Sequence, residues 1–262
     1  MRRVPILIYH KVEARKEVGI NVVSPEKFRQ HITVLRELGY RSVTFWDLLT
    51  APALPPKPVI ITFDDAYESV YHYAFPVLRE FGFTAVVFVI AGFIGRWNSW
   101  DANLGGIRFR HMNEDQLREI ARAGWEIGSH GVSHRALTFL GREQLEEEIC
   151  QSRRILQIIS ENPVLTVAYP FAMHNPHVRA AAKKAGFTFG CKSIRGKEAR
   201  EDLLQIRRAP VYQFEGMPGL RHKLDPQRIS WPHKIKLSML SAPAVLTPFY
   251  QALFKRELFL EK

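Results

Sequence analysis

Apolar residues run through this chain in short blocks that alternate with longer stretches of helical spacing. Residues 4–9 (VPILIY) form the first block. Ser24 can then cap a helix with Pro25 at its first position; Phe28, Ile32 and Leu35 follow on one face, and Gly39 is the stop. His31, among polar neighbours on that helix, is expected at the surface. Residues 58–63 (PVIITF) carry apolar side chains on both faces, as a strand buried in a parallel sheet requires. Residues 70–81 predict a helix ended by Gly82 and kinked at Pro76, and residues 84–91 (TAVVFVIA) another doubly buried strand.

The alternation continues. Asn113 caps a helix that runs to Ala123, with Gly124 beyond it. Strands are predicted over 125–129, 164–169, 187–191 and 205–211. Helices are predicted over 142–159 and from Asn175-Pro176 to near Gly186. Repeated βα units of this length favour a parallel sheet, wound open or closed into a barrel. No linker stands out before about residue 215, so residues 1–215 are expected to form one domain. Residues 216–262 are then a basic, aromatic C-terminal extension packed on it.

Active sites of parallel α/β folds lie at the carboxyl ends of the strands, and three such ends carry unusual residues. The strand at 58–63 ends in Asp64-Asp65, the one at 125–129 in Ser129-His130-Gly131-Val132-Ser133-His134, and the one at 164–169 in Tyr169-Pro170-Phe171. His130 and His134 stand four apart, so one tight turn can aim both imidazoles at one ion. A carboxylate from a neighbouring strand would complete a two-histidine, one-carboxylate site with a position open for water. The other aspartate is then free to act as general base. A cation also removes the cost of placing two like charges side by side.

Composition narrows the setting. The 262 residues carry a formal charge of +11 and 46 % hydrophobic residues, a globular balance that attracts anionic partners. No nucleic-acid module or basic arm is present, so nucleic acid is not expected as a partner. The first apolar block is shorter than the roughly 7–15 residues of a secretion-signal core, and no run approaches the roughly 18 of a membrane span. A cytoplasmic location follows as the expectation. Cys150 and Cys191 lie far apart and are expected to be reduced, half-buried thiols.

At the strand ends the sequence resembles the NodB-homology polysaccharide deacetylases, the family-4 carbohydrate esterases. Their first motif, T-F-D-D-G, is Thr62-Phe63-Asp64-Asp65-Ala66 here; their second, H-S/T-x-x-H, is matched in spacing by His130 to His134, with Gly131 at the Ser/Thr position. The resemblance spans roughly residues 4 to 211. It implies a distorted (β/α) barrel of the NodB-homology type and hydrolysis of an N-acetyl group from an amino sugar. By position, Asp64 becomes the base, and Asp65, His130 and His134 hold a divalent metal, zinc by preference and cobalt or nickel as alternatives. The backbone N–H of Phe171 would face the oxyanion, with Tyr169 and Pro170 beside the substrate.

The family's third motif, R-x-P-Y, reads Ala168-Tyr169-Pro170-Phe171, so its arginine is missing. Arg208 is expected to replace it and hold Asp64 ionised; strand alternation lets only one of Arg207 and Arg208 face the site. No later Leu-x-His supplies an acid. Tyr9-His10-Lys11-Val12 and Arg207 to Val211 instead resemble the poly-N-acetylglucosamine deacetylase branch, which implies His10 as the acid. Trp100 and Asp101, on the rim loop after residue 91, are candidates for sugar contact, ahead of Trp97, and His174 is read as preceding the Asn175 cap. Eight Lys/Arg against three Asp/Glu in residues 216–262, with Trp231 and four further aromatics, suit contact with an acidic inner-membrane face or a lipid-phosphate-linked sugar. Hydrolysis of another small amide, or an inactive carbohydrate-binding protein on the same scaffold, are the competing readings.

Overall fold

The computed structural model describes residues 4–15, 20–100, 107–193 and 202–224. In chain order they form β1 (Ile6–Tyr9), β2 (Lys11–Val12), β3 (Val22–Val23), α1 (Pro25–Glu37), β4 (Arg41–Ser42), α2 (Phe45–Thr50), β5 (Pro58–Phe63), α3 (Phe75–Phe81) and β6 (Val86–Val89). Then come α4 (Glu114–Arg122), β7 (Glu126–Ser129), α5 (Arg142–Ser160), β8 (Thr166–Ala168), α6 (Pro176–Lys184), β9 (Phe189–Ser193), β10 (Ile206–Pro210) and α7 (Met217–Lys223). Strands β1, β5, β6, β7, β8, β9 and β10 are all parallel and close into a seven-stranded barrel, because β1 pairs with both β5 and β10. β4 pairs in parallel with the amino end of β5, and β2 and β3 pair separately.

The sequence signals for helix ends act as expected. Ser24, Asn113 and Asn175 each accept a hydrogen bond from the backbone N–H three residues on, and Gly82 takes the left-handed conformation beyond α3. The kink expected at Pro76 is instead a wide turn over Val70–Ala74, in which the Phe75 N–H reaches five residues back to Val70. Proline cannot donate to the carbonyl four residues back, so the ladder is already interrupted there. His31 overturns its surface expectation: it is fully buried with Phe28, Ile32 and Leu35, and its Nδ1 meets the Tyr9 hydroxyl at 3.1 Å. Positions 28, 31, 32 and 35 make one helical stripe, a signal that its polar neighbours masked.

Two-residue periodicity sorts the strands into two cores. Leu7, Tyr9, Val59, Ile61, Phe63, Val87 and Val89 face outward to the helices. Ile6, Ile60, Val86, Phe88, Ala168, Phe189 and Cys191 fill the barrel, closed below by Val43 and Phe45. Gly128 is needed in that interior, since a Cβ there would lie 2.6 Å from the Phe88 ring. Extending the inward parity upward gives His10 after Ile6 and Ile8, Asp64 after Ile60 and Thr62, His130 after Gly128, and Arg208 after Ile206. The interior therefore changes from apolar to charged at its carboxyl end.

Cys191 is buried and Cys150 exposed, rather than both half-buried. Among the described residues no helix is long and apolar enough to cross a membrane. α7 packs against the barrel through buried Leu220 and Lys223, the latter paired with buried Glu215. The aromatic tail beyond it, with Trp231, lies outside the described residues.

At the lower end of the barrel Glu126 is buried, accepting hydrogen bonds from Thr166 Oγ1 and the Trp46 N–H, each at 2.9 Å. Burial raises its pKa from 4.5 to about 7, against the pull of those bonds. The folded state thus holds a proton that the unfolded chain releases, so this group's contribution falls as pH rises from about 4.5 to about 7. Glu126→Gln should therefore gain in stability relative to the parent protein across that window, by on the order of 3 kcal/mol at most. Urea unfolding at pH 4.5 and pH 7.5 checks this; a constant difference between the two proteins contradicts it.

Candidate active site

The two adjacent aspartates are driven apart by the backbone. Asp64 continues β5 and donates its N–H to Tyr9 O at 2.9 Å, so its carboxylate points along the barrel interior. Asp65 and Ala66 then adopt left-handed φ values of 70° and 53°, which turns the Asp65 side chain toward β7. His134, Phe171 and Ala172 are also left-handed, so five of the six non-glycine residues with positive φ among the described residues stand at this end of the barrel. Such conformations cost about 1–2 kcal/mol each and persist where surrounding structure holds them.

Arg208 meets Asp64 as a bidentate pair, Nη1 to Oδ1 at 2.6 Å and Nη2 to Oδ2 at 2.8 Å, with Nη1 also donating to Thr62 Oγ1 at 3.0 Å. Both partners are buried. Burial alone would raise the Asp64 pKa, but Arg208, His130 and the hydrogen bonds from Arg208 bring it below the ordinary aspartate value. The guanidinium arrives from β10, the last strand, onto a carboxylate of β5, and Arg207 points elsewhere, as alternation demands.

Asp65 Oδ1 lies 3.5 Å from His130 Nε2 and 3.4 Å from His134 Nε2, and all three side chains are buried. Ligands about 2.0–2.2 Å from a tetrahedral zinc stand roughly 3.3–3.6 Å apart, so both distances from Asp65 suit such an ion, and the three donor atoms all lie within 4.8 Å of one another. His130 Nδ1 donates to Ala168 O at 2.7 Å, which leaves Nε2 with its lone pair toward Asp65. Burial lowers the pKa of both imidazoles, with Arg208 adding to it at His130 and the neighbouring His130 adding to it at His134, which falls well below 6.5. Both rings are therefore neutral at pH 7, the form a metal takes.

Two supports were not read from the sequence. Glu148, on α5, accepts from the Val132 N–H at 2.8 Å and the Ser133 N–H at 3.1 Å, and also from the Ser133 hydroxyl. It grips the loop between the two histidines. Gly131, with φ of 79°, stands so close that a Cβ would lie 3.1 Å from Glu148 Oε2, which accounts for glycine at the motif's Ser/Thr position. His111 donates from Nδ1 to Asp65 O at 2.6 Å, accepts from Trp100 Nε1 at 3.2 Å and stacks on Tyr67. It fixes the left-handed turn of Asp65.

The remaining expectations divide. His10 is half-buried at the end of β1, where it feels Asp64, Arg208 and His130; burial pushes its imidazole down to about 4. The Phe171 ring packs on His134 at 4.6 Å between centroids. Trp100 corrects its reading as a sugar platform: it is buried, with its ring 3.8 Å from that of His134 and its N–H spent on His111. Tyr169 is also corrected, since its ring is in the core and its hydroxyl donates to Leu204 O. Pro170 is buried and starts the turn that presents Phe171. His174 meets Arg179 beside the cap of α6. Asp101 lies outside the described residues.

Truncating Glu148 to alanine strands the two loop N–H groups and the Ser133 hydroxyl, at about 1–3 kcal/mol for a buried unsatisfied group. Glu148→Ala should lose about 2 kcal/mol in urea unfolding, and Glu148→Gln less than half of that. Equal, negligible losses in both would show that the loop stands without this carboxylate.

Comparison with known proteins places this geometry. The model of the polysaccharide deacetylase family matches residues 51–190. The protein YxkH of Bacillus subtilis (strain 168) is 29 % identical over 225 residues, 83 % of this chain and 74 % of its own length. The poly-beta-1,6-N-acetyl-D-glucosamine N-deacetylase of Staphylococcus aureus (strain MRSA252) is 25 % identical over 187 residues, 67 % of this chain and 62 % of its own. Among solved structures, IcaB from Ammonifex degensii aligns with a TM-score of 0.67 and 26 % identity, over 94 % of this chain and 97 % of that one. With its closed seven-stranded barrel, its paired aspartates and the histidines facing them, this chain belongs to the polysaccharide deacetylase family.

Proposed function

We propose that the chain is a metal-dependent hydrolase that removes N-acetyl groups from an N-acetylated amino sugar within a glycan of the poly-N-acetylglucosamine kind. The observation that carries this reading is the division of labour between the aspartates. Asp65 shares one oxygen with His130 and His134, while Asp64 is held ionised by Arg208 a single residue away. The Staphylococcus aureus relative supports the substrate class.

Asp65, His130 and His134 would hold the metal, zinc or another divalent ion. Bound there, a divalent ion supplies Lewis acidity, making water a nucleophile near neutral pH and polarising the acetyl carbonyl. Asp64 takes the proton from the attacking water; Arg208 keeps its carboxylate unprotonated until then. The backbone at Phe171, beside His134, faces the developing oxyanion. Departure of the amine requires a proton, because an amide anion is a very poor leaving group. His10 delivers it. Burial leaves His10 neutral at pH 7 in the free protein, so it takes a proton from solvent during turnover, as negative charge gathers on the acetyl oxygen, and Asp64 returns the proton of the attacking water to solvent once the products leave.

The test is acetate release from β-1,6-linked N-acetylglucosamine oligomers with zinc, cobalt or nickel added to the chelated protein. Asp65→Ala and His130→Ala should lose metal, measured by equilibrium dialysis, whereas Asp64→Asn should retain it and lose turnover; equal metal loss in Asp64→Asn contradicts the division of roles. In Arg208→Met the Asp64 pKa should rise, moving the acidic limb of the kcat/KM profile to higher pH. An unmoved limb means that Asp64 is tuned by other groups. His10→Ala should keep its metal while kcat falls by roughly 10²–10⁴. An amide with a better leaving group should lose much less, and equal losses on both rule the acid role out.

A further inference from the structure

Tyr9 is the last residue of β1, and His10 follows where the chain leaves the barrel for the separate pair of β2 and β3. The backbone at this point is shared with both neighbouring strands: Ile8 O accepts from the Val211 N–H at 2.8 Å, and Tyr9 O from the Asp64 N–H at 2.9 Å. Residues 9 and 10 aim their side chains to opposite faces. His10 turns into the interior. Tyr9 turns out beneath α1, where its ring meets Phe28 edge to face at 5.2 Å and leans on Phe63 at 5.7 Å. Tyr9 and His31 are both fully buried, and the hydroxyl of the first shares a hydrogen bond with Nδ1 of the second at 3.1 Å.

Packing does not account for this pair. Phenylalanine at 9 and leucine at 31 would fill the same layer without polar atoms. His31 Nε2 is buried with no hydrogen-bond partner among the described residues, and a buried unpaired polar group costs about 1–3 kcal/mol. Burial lowers the His31 pKa to about 4, with Lys27 and Lys223 adding to it, so the ring is neutral at pH 7. What the pair supplies is direction: a hydrogen bond in an apolar layer admits one arrangement of the two rings, where apolar contact alone admits several. The far side of His31 is closed by the chain after β10. Gln213 donates its N–H to Ile20 O at 3.0 Å and accepts from Lys27 Nζ at 2.5 Å. α7 then lays Leu220 in the same core as Phe28 and Ile32, held by the buried pair of Lys223 and Glu215. A Cβ at Gly219 would collide with that glutamate. The end of β1 is clamped under α1 and α7. Asp64 has Arg208 to hold it as well; His10 depends on the course of β1.

We infer that Tyr9 and His31 are positioning residues for His10: their hydrogen bond fixes how β1 leaves the barrel and so holds the imidazole in reach of the departing amine. The role of His10 itself rests on the deacetylase reading. Tyr9→Phe removes only the hydroxyl, and His31→Leu removes the ring nitrogens while filling the layer. In both variants kcat on the β-1,6-linked N-acetylglucosamine tetramer should fall about tenfold, with KM and zinc affinity unchanged. 4-Nitrophenyl acetate needs no acid for its phenolate to depart, so its hydrolysis should fall less than about twofold. Equal losses on the two substrates, as a general loosening of the site would give, overturn the inference, and so does an unchanged kcat on the tetramer in Tyr9→Phe. NMR of ring-labelled histidine separates this from failure of the deacetylase reading, since it needs no substrate. If no acetate is released from the tetramer, His10 ring signals that move in Tyr9→Phe, while those of exposed His177 on α6 hold, still support the positioning role. His10 signals that stay in place overturn it.

Discussion

The charged end of this barrel depends on one interaction, the bidentate pair between Arg208 and Asp64. Both groups are withdrawn from water, which each would resist alone; breaking such a pair by removing one partner costs about 3–5 kcal/mol. The pair spans β1, the strand that joins β5 to β10, and Thr62 ties it to β1 by donating to Leu7 O while accepting from Arg208. Barrel closure and the ionisation of the proposed base are thus one event. The arginine missing from the third motif is absent only in sequence position, since another strand carries a guanidinium to the same carboxylate.

With Asp64 committed to Arg208, the next residue is available for a different partner. The left-handed turn at Asp65 achieves that separation within one residue, and His111 holds the turn from below. From α5, Glu148 does the same for the histidine loop that follows β7. The proposed metal ligands are therefore positioned by buried groups that hold the turns carrying them, as a preorganised site requires.

Much of this is legible in the sequence. Doubly apolar blocks locate the barrel strands, three capping residues locate helix starts, and the carboxyl-end positions of Asp64-Asp65 and His130 to His134 locate the chemistry. What stayed hidden has physical causes. β2, β3 and β4 have two residues each, too few to show a period. Glu148 sits in a run of glutamates whose neighbours are solvated, and only tertiary contact distinguishes it. His111 lies in a non-periodic segment, and Trp100 and Tyr169 were misread because a rim position does not tell which way a ring turns. His31 is different: its spacing with Phe28, Ile32 and Leu35 marks a buried stripe, while its polarity points to the surface, and the stripe prevails.

The placement of Arg208 also bears on how the protein is made. Asp64 leaves the ribosome 144 residues ahead of its counter-ion, and at roughly 5–20 residues per second that interval lasts on the order of 10 seconds. Through it the half-built sheet holds a carboxylate that cannot be withdrawn from water without penalty, and β1 lacks one of its two neighbours. The nascent chain is therefore kept open at this seam until β10 emerges. Premature burial of the interior is disfavoured by the same charge that Arg208 later pairs.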